Sequence, residues 1–374
     1  MSEEAVKRIP YGLSDYEKIR KGNYYYVDKT GYLRDIERAG DYLFFIRPRR
    51  FGKSLFVSMI ETYYDVARKD QFDFFFDGTD ILRRPTPQRS GFLILTFNFS
   101  AVAPAPGHVE RSFFDYVVEV ADRFLFKYKD RLTLHDPHQY TDELKQKATA
   151  SGAALSRLFI TGVSPITMDD LTSGFNIGKN ISTDADFNPM LGFTHDDVTA
   201  MIDYYRQAGR IRHQTHDLLE LMKQWYNHYV FSRKASTPLF NADMVLYFLD
   251  EYFKEHDLPE ELVDRNVRID YDKLRHLITV DKRGQKEVNG NFLKLREIVE
   301  EGKARSKLVK GFPLEEMDSS ENFVSLLFYL GLLTIGGEEE GLVQFQIPNR
   351  TAKALYYDYI IRVGNETGRQ RWPG

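Results

Sequence analysis

The stretch that most constrains this chain is Ile46-Arg47-Pro48-Arg49-Arg50-Phe51-Gly52-Lys53-Ser54-Leu55. Before it runs Tyr42-Leu43-Phe44-Phe45-Ile46, apolar, aromatic and short enough for a buried strand. After it, Leu55, Met59, Ile60 and Tyr63 recur at helical spacing. Strand, glycine-containing loop and helix in that order aim loop amides and a helix N-terminus at one point, which is how a backbone binds a phosphate.

The side chains suit a triphosphate. Gly52 admits close backbone approach, Lys53 is placed for the β- and γ-phosphates, and the Ser54 hydroxyl for Mg²⁺. The pattern G-x-x-x-x-G-K-[ST] is broken once, because Arg47 stands where the first glycine is usual. Pro48 offers another way to fix that turn. The competing reading is a basic surface turn that contains Gly-Lys-Ser by chance, and the flanking strand and helix weigh against it.

A length of 374 residues, 42% hydrophobic and 14% aromatic, supplies core for two domains. The net charge of −4 argues against a general nucleic-acid field, so any such binding is local. Arg47, Arg49, Arg50 and Lys53 form the local basic cluster, which a triphosphate explains at least as well. Disulfides and thiolate chemistry are excluded, since cysteine is absent. No apolar run reaches the ~18–20 residues needed to span a bilayer, and MSEEAVKRIP lacks a signal-peptide core, so a cytoplasmic chain without a membrane partner is expected.

Along the chain, Tyr24–Val27 has strand composition, and Asp28-Lys29-Thr30 is expected to begin a helix carrying Leu33 and Ile36. Phe92–Phe99 (FLILTFNF) reads as a second buried strand, and His108 to about Lys129 as a long amphipathic helix. Arg157–Ser164 (RLFITGVS) reads as a third core strand ending in a small-residue turn. This alternation indicates an α/β fold with an open parallel sheet. From Thr194, paired with Asp197 as a helix cap, residues 196–256 read as successive helices centred on Trp225, Tyr226, Tyr229 and Phe231. SSENFVSLLFYLGLL followed by Leu333–Ile335, GGEEEG and Val343–Ile347 is a helix and β-hairpin, compatible with a winged helix or with an ordinary corner.

RIPYGLSDYEKIRKGNYYYVDKT, FFIRPRRFGKSL, RLFITGVSPITMDDLTSGFNI, LGFTHDDV, WYNHYVFS, LFNADMVLYFL, LLFYLGLLTI and FQIPN occur in one order over most of residues 8 to 349. Together they resemble the bacterial AAA-ATPase-like family of P-loop NTPases, whose longer members usually carry a restriction-endonuclease-like domain at the C-terminus. Arginine in place of the first loop glycine is usual there. The resemblance implies a Walker A loop with Gly52, Lys53 and Ser54 on phosphate and Mg²⁺, and Arg49 and Arg50 lining it. Thr161 and Ser164 would fall near the sensor position beside the γ-phosphate, against the alternative of a satisfied strand end.

Two departures from that family stand out. An apolar strand ending in Asp-Glu, the Walker B element that holds Mg²⁺ and orients water, is expected between the long helix and LFITGVS. Lys127–Leu158 contains none, so the strand reads as deleted. Val245–Glu251 has suitable letters but helical spacing, Phe74–Asp77 comes too early, and Leu132–Asp136 leaves Asp136 a weak candidate. After Ile347-Pro348-Asn349 the chain runs only to Gly374, so no nuclease region is expected.

His213 and His216 at i and i+3 beside Asp217 form the nearest metal pair, without an evident third ligand. His135 and His138 flank Asp136-Pro137 in a loop. Lys282, Arg283, Lys286, Lys303, Arg305, Lys307 and Lys310 read first as a solvated helical surface. The 23 Tyr and 28 Phe lie at core spacing rather than as a base-stacking platform.

The expected organisation is a P-loop core over 1–191, a helical lid with a helix–hairpin end over 192–347, and a short tail over 348–374. The expected function is an ATP- and Mg²⁺-binding switch of ATPase type with no catalytic residue assigned. The alternatives are a non-catalytic remnant that binds a protein partner or itself, and a nucleic-acid-associated ATPase.

Overall fold

The computed structural model describes residues 5–102, 108–132, 155–165, 178–267, 290–317 and 319–367. Expectations on Asp136, His135, His138, Lys282, Arg283 and Lys286 fall outside these.

Two short helices, α1 (Tyr16–Lys21) and α2 (Tyr32–Ala39), precede strand β1 (Tyr42–Ile46). Helix α2 starts at Tyr32 rather than at Asp28, because the Asp28 carboxylate accepts from the Thr30 amide and hydroxyl in a local turn. Tyr24–Val27 makes only an isolated bridge, Arg8 to Tyr24, and is not a strand. Helix α3 (Lys53–Tyr64) follows β1, then the short α4 (Phe72–Phe76) and α5 (Asp80–Arg83), and the long α6 (Val109–Tyr128).

β1 is the centre of a three-stranded parallel sheet of order β2-β1-β3, with β2 at Leu158–Gly162 and β3 at Lys179–Asn180. Tyr42 faces Leu158 and Ile46 faces Gly162, while Leu43 faces Lys179. Four of the five β1 residues are buried, as a strand covered on both faces requires. β3 escaped the sequence reading because two residues carry no periodicity.

Phe92–Phe99 is not a strand, which corrects the expectation. Phe92 bridges Asp65, and from there its backbone amides go to side chains of α6: Ile94 N–H to the Tyr128 hydroxyl at 2.9 Å and Asn98 N–H to the Tyr116 hydroxyl. Tyrosine hydroxyls thus replace a strand ladder. Among the described residues no strand pairs with the outer edge of β2.

The second half opens with α7 (His195–Gln207), whose Thr194–Asp197 capping box satisfies two otherwise orphan amides. Helices α8 (Thr215–Tyr226) and α9 (Ala242–Glu255) follow, so the Asp250-Glu251 pair lies inside a helix, as its spacing foretold. Then come α10 (Gly290–Glu301), β4 (Lys303–Ser306), α11 (Ser320–Tyr329) and the hairpin β5 (Thr334–Glu339) and β6 (Leu342–Gln346). Glu340 and Gly341 both take positive φ, the two-residue turn that matches strand twist.

Lys303 and Arg305 lie on β4, paired antiparallel with β6, and not on a helical surface; burial alternates along the strand with these two outward. The final stretch is helix α12 (Arg350–Thr367), where Ala352, Leu355 and Tyr356 are buried. One cluster of buried side chains runs from Tyr16 to Tyr356 and includes both halves. No helix among the described residues is long and apolar enough to cross a membrane.

Candidate functional site

The C-terminal ends of β1 and β2 open on the same edge of the sheet, since the strands are parallel. Ligands of open α/β sheets gather at that edge. Residues 47–52 form the loop there, entering α3 through Gly52 at φ 92° and ψ 15°, a left-handed conformation that suits glycine. A Cβ built on Gly52 meets no atom of the described residues within 4 Å, which leaves open space there over the loop. The N-terminus of α3 has no side-chain cap and no acid in its first turn, leaving its dipole uncompensated.

Lys53 folds back over the loop and donates from Nζ to the carbonyls of Arg47 at 2.9 Å and Pro48 at 2.7 Å. Its ammonium is thereby held at the loop rather than extended to solvent. Ser54, next along α3, is exposed.

The arginines separate into different roles. Arg47 is 1% exposed and points inward, donating to the carbonyls of Ile46 (2.9 Å), Ser182 (2.6 Å) and Phe187 (3.0 Å). Its guanidinium lies 4.2 Å from the Phe45 ring centre and 4.4 Å from that of Phe231. Burial pushes it down to about 9, which leaves it a cation at neutral pH. It therefore does not belong to a basic surface around an anion; it pins segment 182–187 to the end of β1. The Ser182 hydroxyl completes the anchor by accepting from the Ile46 amide at 2.8 Å.

Arg49 is half-buried on the loop. Arg50, at φ 68°, reaches the opposite half of the chain, where Nη1 meets Asp243 Oδ2 at 2.5 Å and Asp264 Oδ2 at 3.1 Å. The Arg50 carbonyl also accepts from the Asp243 amide at 3.2 Å. Phe51 is buried edge-on against Tyr229 and Phe231, and its carbonyl accepts from the Gly192 amide. A Cβ at Gly331 would stand 2.8 Å from Pro48, so the loop and the turn after α11 are in close contact.

The Thr161 hydroxyl donates to the Phe45 carbonyl at 2.8 Å, the arrangement of a satisfied strand end. Ser164 lies just beyond β2, half-buried, at the same sheet edge as the loop. The Arg47 amide donates to the Gly162 carbonyl, which ties the two strand ends together.

A cleft of about 820 Å³ shares Phe187 with the Arg47 anchor but is lined by none of residues 47–54. Its charges are largely matched: Lys29 with Asp197, Arg34 with Asp80, and Lys179 with Asp184. Among the described residues no group of three or more His, Cys, Asp or Glu side chains could hold a metal. His213 precedes α8 and bonds the Tyr252 hydroxyl at 2.7 Å, so it does not share a helix with His216.

Asp243, Asp264 and Ser182 escaped the sequence reading. Only Asp243 carried a signal, as the acid in the first turn after the Asn241 cap. Asp264 and Ser182 sit in irregular segments where no spacing marks them.

A family described as "Predicted AAA-ATPase" matches residues 10–152. An uncharacterised protein in the vnfD 5′ region of Azotobacter chroococcum mcd 1 is 27% identical over 297 residues, covering 69% of this chain and 56% of that protein. The chain thus spans about half the length of this relative. No solved structure matches. The matched segment includes the loop, α3 and the other elements before β2, and over residues 10–152 the chain is similar to the AAA-ATPase-like family.

Proposed function

We propose that the chain binds ATP through residues 47–54 and uses it as a conformational switch. The observation that carries this is the open, left-handed Gly52 leading into the uncapped N-terminus of α3, with the Lys53 ammonium held over the loop. The phosphates would take the α3 amides and Lys53, and Arg49 would add charge from the loop. Ser54, exposed at the start of α3, would hold Mg²⁺, which would supply positive charge to neutralise the phosphates. Thr161 would act on the site only by locking β2 to β1, while Ser164 stays a candidate for the γ-phosphate side.

Hydrolysis would be slow, because Lys127–Leu158 supplies no apolar strand ending in the acids that position water. The test is calorimetric titration of the wild type and Lys53→Ala with Mg-ATP, following phosphate release in the same samples. Lys53-dependent binding with little release is the expected result. Failure of the folded wild type to bind would remove the proposal, and rapid turnover lost in Lys53→Ala would remove the claim of slow hydrolysis.

The second reading is a non-catalytic interaction module. It is favoured by Phe92–Phe99 lying outside the sheet and by the unpaired outer edge of β2 among the described residues. It becomes the better account if Mg-ATP does not bind.

A further inference from the structure

Arg50, Asp243 and Asp264 form a cluster that the phosphate-binding reading does not use. The three side chains are 23%, 20% and 4% exposed, and both carboxylates share the single nitrogen Nη1. Asp264 is fixed from elsewhere, by the Tyr11 hydroxyl at 2.7 Å on Oδ2 and the Asn266 amide at 2.8 Å on Oδ1. Asp243 sits in the first turn of α9, tied also by its amide to the Arg50 carbonyl. Thus the loop, the start of α9 and the segment at 264 meet at one guanidinium, and Tyr11 of the leader joins them through Asp264.

Electrostatics sets the direction of the coupling. Among the described residues the Arg50 guanidinium pairs with the carboxylates of Asp243 and Asp264, two residues from Gly52. A polyphosphate arriving at the loop adds further negative charge in a half-buried setting where it is weakly screened. It attracts Arg50 and repels Asp243 and Asp264, so its binding and the Arg50–Asp243 pair oppose each other. Arg50 also holds a left-handed backbone that costs a non-glycine residue about 1 kcal/mol, which the cluster's contacts offset. By linkage, the factor by which binding weakens the pair is the factor by which the intact pair weakens binding.

We propose that Arg50, Asp243 and Asp264 are an autoinhibitory latch between the loop and α9, opened when a polyphosphate competes for Arg50. The proposal rests on the phosphate-binding reading of the loop. It gives that reading an output, since release of Asp243 frees the start of α9 from the loop.

The test compares Mg-ATP affinity by calorimetry in the wild type, Asp243→Asn and Lys53→Ala. Asp243→Asn removes one negative charge and keeps the side chain's shape, and it should bind at least about fivefold tighter than wild type. In the unmodified protein, saturating Mg-ATP should speed hydrogen exchange at the Asp243 amide. Lys53-dependent binding with an affinity change below about twofold in a folded Asp243→Asn variant overturns the latch alone. Should that variant not fold, wild-type exchange decides, and an Asp243 amide that is unchanged or better protected overturns the latch. Absence of Lys53-dependent binding overturns the latch and the ATP reading together.

Discussion

At the scale of single residues, neighbouring positions of one loop have divergent physics. Arg47 is a buried cation held by three carbonyls and two ring faces. Arg47→Met would keep the volume but leave those carbonyls without a donor. It should destabilise the protein by about 3 kcal/mol, read as a lowered urea midpoint. Gly52→Ala tests a different term. Its Cβ meets no atom of the described residues within 4 Å, so the loss of about 1–2 kcal/mol is that of the left-handed backbone. Under the proposed function Mg-ATP affinity should fall as well, because the new methyl occupies the space over the loop.

At the scale of elements, β1, the loop and α3 were legible because their signals are local. A buried strand announces itself by an apolar run, and a helix by its period. The same rules misread Phe92–Phe99, whose apolar letters are as strand-like as those of β1. What differs is the neighbour: β1 lies between β2 and β3, while residues 93–98 find tyrosine hydroxyls of α6. Leu93, Phe97 and Phe99 are accordingly exposed. Native-state hydrogen exchange should show amides of 43–46 strongly protected and those of 95–97 exchanging far faster. Equal protection across both segments would place 92–99 in the sheet after all. Asp65 shows how α6 is held: it caps the end of α3 and takes both the Tyr128 hydroxyl at 2.9 Å and the Lys127 ammonium at 2.6 Å.

At the scale of the whole molecule, the buried tyrosines set the pH limit. Burial raises Tyr16, Tyr64, Tyr226 and Tyr329 well above the ordinary phenol, and pushes Tyr32 and Tyr229 up to about 12. In the unfolded chain these phenols ionise near 10. Below that pH both states hold their protons and the tyrosines impose no pH dependence. Above it the unfolded state gives up protons first, so stability falls as pH rises from about 10 toward the folded values. Titration should show phenolate absorbance appearing together with loss of helical signal above about pH 10. Phenolate formation without unfolding would mean that the rings are accessible.

The sequence by itself determined the β1–loop–α3 unit, the Thr194 cap, the course of α6 and the helix–hairpin near the end. Each is fixed by dihedral preference and periodicity within a few residues, so neighbours in the chain suffice to specify it. Tertiary structure alone decided that Arg47 faces inward, that Arg50 pairs with Asp243 and Asp264, that residues 179–180 join the sheet and that 92–99 do not. Those outcomes depend on which distant segment arrives alongside, and a cation or an apolar run carries no mark of its partner until the chain has closed around it.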